Sequence, residues 1–110
     1  FKRTVQESDA TFRVLISPTP VVGPDRDNKN DNHANNAFSY EGNLLREFIA
    51  SQDNMVVVCG DRHWQYISQD LESGVIEFSC GPGSDDHAGG WSQDNKLPEH
   101  NYLNVLGGFM

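Results

Sequence analysis

Basic residues are scarce: eight Lys and Arg stand against sixteen Asp and Glu, a formal net charge of −8 at pH 7. A general binder of nucleic acid or of an anionic membrane needs a basic footprint, and this balance argues against one. Cysteine is nearly missing as well. The two present, Cys59 and Cys80, end separate apolar runs, so neither a zinc knuckle nor a redox pair is spelled out. They read as buried free thiols, with a single bridge between adjacent strands as the alternative. No apolar run reaches the length of a membrane span, no charged-then-apolar leader opens the chain, and no internal repeat occurs. Compartment and oligomeric state are therefore left open.

What is present suits one small domain: 110 residues, 36% of them hydrophobic, can bury a modest core. Phe1 is not an initiator Met, and Gly107-Gly108-Phe109-Met110 stops in an apolar stretch. The expectation is a portion of a larger domain, truncated on the N-terminal side and at the C-terminal end.

The pattern along the chain predicts an α/β fold. Phe1 to Asp9 suits the last turns of a helix. Thr11 to Ser17, rich in β-branched and apolar residues and stopped by Pro18 and Pro20, predicts a short buried strand. Pro18 to Asn36 carries turn formers with little to bury after Val22, which marks a long irregular loop. Leu44, Leu45, Phe48 and Ile49 place an apolar stripe on a helix that ends near Gln52, with Ser39 as its expected N-cap and Glu41 in its first turn. Met55 to Cys59 is a continuous apolar run, as for a central strand buried on both faces. Strand, loop, helix and strand make a βαβ unit with parallel strands. Trp64 to Gln69 and Val75 to Cys80, joined through Glu72-Ser73-Gly74, predict a hairpin. One more strand is expected near Leu103 to Leu106.

The chemistry centres on Gly60-Asp61-Arg62-His63, which follows the apolar run at the rim where open α/β sheets place their ligands. Asp61 and His63 are two residues apart, so in extended backbone both point to one side, and a carboxylate oxygen and an imidazole nitrogen would share a metal site. Gly60 is expected to supply the sharp turn. On spacing alone, an Asp capping a turn beside a half-buried His explains the pattern equally well.

The segment VVVCGDRHWQY resembles the closing metal-ligand block of calcineurin-like metallophosphoesterases, and its Gly-Asp-x-His form resembles the alkaline phosphatase D-like (PhoD-like) branch. The similarity extends through FRVLISPTPVVGPDR, DNHAN, EGNLLREF and IEFSCGPGSDDHAGG. The resemblance implies the C-terminal part of a four-layer αββα sandwich, here a βαβ unit followed by a β-hairpin. It also implies Asp61 and His63 as catalytic metal ligands, and metal-assisted hydrolysis of a small-molecule or lipid phosphoester. Cluster metals would polarise the phosphoryl oxygens and activate a water. An Asp in place of the superfamily's first His favours a hard cation, and the branch implies calcium with iron or another transition metal. Some relatives of this kind are periplasmic or secreted.

Two departures accompany the resemblance. Leu15-Ile16-Ser17-Pro18-Thr19-Pro20 holds no histidine where the superfamily usually has a ligand, an absence the alkaline phosphatase D-like branch shares. The blocks that supply the remaining ligands lie outside this chain, so the chain alone is expected to show little or no hydrolysis.

Arg62, Asp31, His33 and His87 are further candidates for substrate contact. Arg62 would neutralise phosphate through a bidentate contact, and its alternative is a solvent-facing arginine. Asp31 and His33 belong to the loop DRDNKNDNHANN, which is rich in oxygen donors but has Lys29 at the fifth EF-hand position and Asn36 at the twelfth. His87, beside Asp85 and Asp86, reads as support for a site or as loop structure. His100 has no partner pattern and is expected to be exposed, whereas Trp64 and Trp91 read as core or lid packing. A noncatalytic acidic calcium-binding or interaction module is the alternative to the hydrolase reading. A zinc site from Cys59, His63 and Cys80 or His87 is a weaker third.

Overall fold

A computed structural model describes residues 1–108. The elements run α1 (Lys2–Gln6), β1 (Arg13–Ser17), α2 (Ser39–Ala50), β2 (Met55–Cys59), β3 (Gln65–Gln69), β4 (Ile76–Ser79) and β5 (His100–Asn104), with one-turn 3₁₀ helices at Asn36–Phe38 and Asp85–His87. The five strands form one mixed sheet in the order β1-β2-β4-β3-β5. β1, β2 and β4 are parallel neighbours, whereas β3 runs antiparallel to both β4 and β5.

The expected βαβ unit and hairpin are both present. In the hairpin turn, the Asp70 carboxylate accepts from the Ser73 backbone N–H at 2.8 Å and from its hydroxyl at 2.6 Å. Arg46 of α2 holds this turn against the helix, its Nε 3.3 Å from Asp70 Oδ1.

One face of the sheet carries the core. Val57 and Met55 pack with Val21, Val22, Ile49 and Val75, against partly buried Val5, Leu15 and Leu45. Cys59, Trp64, Tyr66 and Leu103 form a second cluster toward β5, with Trp91 and Val105 against it. Glu77 sits in this face with no exposure. Its Oε2 accepts from the backbone N–H groups of Val21 at 2.6 Å and Val22 at 2.9 Å, while Oε1 accepts from Gly23 N–H at 2.9 Å and the Tyr66 hydroxyl at 2.8 Å. A carboxylate so supplied with donors replaces its lost hydration. The loop after β1 is thereby fastened to the middle of the sheet.

The opposite face is apolar and open. Register aligns Ile16, Val58, Phe78, Ile67 and Tyr102 in one row across all five strands. Ile16 is 81% exposed and Val14 beside it 54%, so β1 is not the buried strand its composition predicts. Val56 and Val58 are only half-buried, and β2 too has one fully covered face.

Other expectations are corrected. Ser39 is the first helical residue of α2 rather than its cap; Phe38 holds the N-cap position and makes no side-chain bond there. Leu44 lies at the margin of its stripe and is 42% exposed. The last strand is His100–Asn104, not 103–106, because pairing with β3 draws it toward its N-terminal end. His100 is 3% exposed, with its Nδ1 accepting from Leu97 N–H at 3.0 Å. Cys59 is buried, but Cys80 is exposed, and both are free thiols. No helix among the described residues is long and apolar enough to cross a membrane.

Candidate functional site

Three parallel strands deliver their following loops to the same rim. The loop after β1 brings Arg26, Lys29 and Asp31, the turn after β2 brings Asp61, Arg62, His63 and Trp64, and the segment after β4 brings His87 to Gly90; together they line one cavity of about 410 Å³. A neighbouring cavity shares Asp61, Arg62, His63 and His87 and is walled by Gly81 to Ser84. This is the C-terminal edge of the parallel strands, the position expected of an α/β site.

The turn is built differently from its sequence reading. Asp61, not Gly60, takes the left-handed conformation, at φ 70°. Asp tolerates that region because its short polar side chain bonds locally. The backbone at Asp61 is therefore not extended, and the period-two argument for a shared direction does not apply. Asp61 and His63 nevertheless border the same cavity, both exposed. Gly89 N–H donates to the His63 carbonyl at 2.9 Å, tying the segment after β4 to the turn.

Arg62 is not solvent-facing: it is 4% exposed, although it borders both cavities. Its Nη2 donates to Asp25 Oδ2 at 2.6 Å and Asp31 Oδ1 at 2.8 Å, and Nη1 donates to Asp61 Oδ2. Burial pulls the guanidinium pKa down, but the Asp31 hydrogen bond and the charges of Asp25, Asp61 and Asp31 outweigh it and raise the value. Asp31 is held below the ordinary carboxylate range, first by its hydrogen bond from Arg62 and then by that from Asn32. Asn32 Nδ2 donates to both Asp25 and Asp31 at 2.8 Å. Asp25 and Asp31 of the oxygen-rich loop are thus bonded to Arg62 and Asn32.

Of the remaining candidates, His87 lines the cavity, with Nδ1 3.2 Å from Ser84 Oγ. His33 is elsewhere. It lines a separate cavity with Asn43, Arg46 and Asp70, with its Nε2 3.5 Å from Glu41 Oε2.

Asp25, Arg26 and Lys29 were not singled out by sequence reasoning. Their only local signal is alternating charge directly after Pro24, in a loop leaving the edge that also bears Gly60. Glu77 was missed too, since a single acid within an apolar run reads as an outward-facing strand residue.

As a metal centre the set is partial. Asp61 and His63 offer a hard oxygen and a borderline nitrogen to one cavity, and the His63 imidazole makes no hydrogen bond among the described residues. No group of three or more His, Cys, Asp or Glu side chains placed to hold a metal ion occurs among those residues. The donor types fit a cation, and their number fits only part of its shell.

Comparison with known proteins returns no match: no family model fits the chain, and no curated protein or solved structure is significantly similar to it.

Proposed function

We propose that this chain is the C-terminal, metal-binding part of a metallophosphoesterase of the alkaline phosphatase D-like kind, hydrolysing a phosphate monoester or diester. The observation that carries the reading is the convergence of Asp61, His63, Asp31 and His87 on one cavity at the C-terminal edge of the parallel strands.

The open sheet face supports the four-layer sandwich. The row Ile16, Val58, Phe78, Ile67 and Tyr102 is the kind of surface a second sheet covers in face-to-face packing. On this reading the second sheet, and the ligands that complete the metal shell, come from outside these residues.

Asp61 and His63 would hold the metal, calcium with iron or another transition metal. When bound, such a cation supplies Lewis acidity and an acidified water. The chain's own residues prepare the place. Arg62 engages Oδ2 of Asp61 and fixes that carboxylate, so Arg62 positions the ligand and does not grip phosphate. Trp64, with no exposure, gives the cavity a rigid wall.

In the full-length protein, Asp61→Ala and His63→Ala are each expected to lower bound metal, read by elemental analysis, and to reduce nitrophenyl phosphate ester hydrolysis at least a hundredfold. Variants that keep normal metal content and turnover would refute the proposal. The 110-residue chain alone is expected to show little turnover with calcium and iron added.

A further inference from the structure

The cavity bordered by Asp61 and His63 has a cationic wall that metal binding leaves unused. Arg26 forms its centre. The guanidinium carbon lies 5.3 Å from the centroid of the Trp64 ring, and Trp64 has no exposure. Arg26 Nε stands 3.6 Å from Oδ1 of Asp25, a side chain that is itself 0% exposed. On the third side is Gly90, where a Cβ would come within 2.9 Å of Arg26 Nη1 and 3.4 Å of Trp64 Cζ3. An aromatic face, a buried carboxylate and a bare glycine thus form a slot that fixes the guanidinium plane.

The terminal donors of this arginine are unspent. Nε is buried and faces Asp25, but Nη1 and Nη2 donate to no acceptor among the described residues, and the side chain is 33% exposed. Arg62 is the opposite case, with Nη1 and Nη2 committed to Asp25, Asp31 and Asp61. A fixed arginine with free N–H groups at a cavity wall suits a planar, bidentate contact to an oxyanion. Lys29 adds a second cation to the same wall. Asp31 and Asp61 also face the cavity, but each already has an oxygen bonded to Arg62, which offsets their repulsion of an anion.

We infer that Arg26, with Lys29 beside it, is the phosphate-binding arginine of this site, receiving the oxyanion of a soluble phosphoester. The assignment rests on the phosphoesterase reading for its substrate class. The cavity lining is polar apart from Trp64, Ala88 and the glycines, which suits a small soluble ester. Pre-positioning on Trp64 lowers the ordering cost that a free arginine would meet on binding.

The test is calorimetric titration of the full-length protein with inorganic phosphate and with phenyl phosphate, calcium present, for the wild type, Arg26→Ala and Arg26→Lys. Loss of a charge-assisted contact should weaken phosphate binding by about ten- to a hundredfold in Arg26→Ala, with a smaller loss in Arg26→Lys and calcium affinity unchanged in both. Unchanged phosphate affinity in Arg26→Ala, or a wild type that binds no phosphate, overturns the assignment. If circular dichroism shows Arg26→Ala unfolded, Arg26→Lys decides: wild-type affinity overturns the assignment and a several-fold loss supports it. Calcium titration of Asp61→Ala and His63→Ala separates the two ideas. Unaltered calcium affinity there sinks the metal reading, while a phosphate defect in the Arg26 variants still supports the arginine's role.

Discussion

Arg62 Nη2 and Asp25 Oδ2 meet at 2.6 Å across 37 residues of sequence, with the two side chains 2% and 0% exposed. This pair locks the loop after β1 to the turn after β2. Removing one member of a buried pair leaves the other charge unpaired, which typically costs about 3–5 kcal/mol. Arg62 retains Asp31 and Asp61, so Asp25→Ala is expected near the lower limit, a loss of about 3 kcal/mol in denaturant unfolding. A loss below about 1 kcal/mol would show that the pair does not fasten the loop.

Glu77 makes a sharper case, because all its bonds are accepted ones. Glu77→Gln keeps the shape but turns an NH₂ group toward backbone donors. With hydrogen bonds to charged groups worth about 1.5–3 kcal/mol each, the variant should lose about 3 kcal/mol. Limited proteolysis should then cut first around Val21 to Gly23, the segment whose N–H groups Glu77 holds. Wild-type resistance at that segment would count against the anchoring role.

The two thiols should separate cleanly. Burial, followed by the charge of Glu77, pushes Cys59 up to about 12, whereas Cys80 is exposed. Thiolate is the reactive form. At pH 8 a disulfide reagent should modify one thiol promptly, identified as Cys80 by peptide mass, and reach Cys59 only on unfolding. Equal rates in the native protein would contradict the buried placement of Cys59.

His100 introduces a pH dependence. Burial lowers its pKa below the ordinary 6.5, and the Leu97 N–H occupies Nδ1, so the folded state favours the neutral ring. The unfolded chain takes up the proton first. This contribution is fully present above pH 6.5 and is lost as pH falls through the lower folded value. Denaturation midpoints measured between pH 7.5 and pH 5 should fall for the wild type. They should fall less for His100→Asn, whose side-chain oxygen can accept from Leu97 without titrating; identical slopes would exclude His100 as the source.

Much of the architecture was legible because it is local or periodic. The stripe of Leu45, Phe48 and Ile49, the apolar run Met55 to Cys59 and the Ser73-Gly74 turn each declare their element within a few residues. The candidate site's place at the sheet edge was legible, since Gly60 follows a parallel strand, but its pairings were not. Arg62 meets Asp25 and Asp31 only after the loop folds back, and such partners carry no short-range signal. The burial of His100 likewise depends on where β5 pairs with β3. The apolar content of β1 misled for another reason: it lies on a face that is open in this chain, and composition does not distinguish a covered face from an open one.

The left-handed backbone at Asp61 narrows the substitutions that the position tolerates. Glycine, asparagine and aspartate enter that conformation cheaply, while a β-branched residue would strain the turn. Position 61 therefore has a short alphabet for shape, of which aspartate alone supplies a carboxylate. Asparagine and glycine there become paired probes: both keep the turn, the first removes the charge, and the second removes the side chain as well.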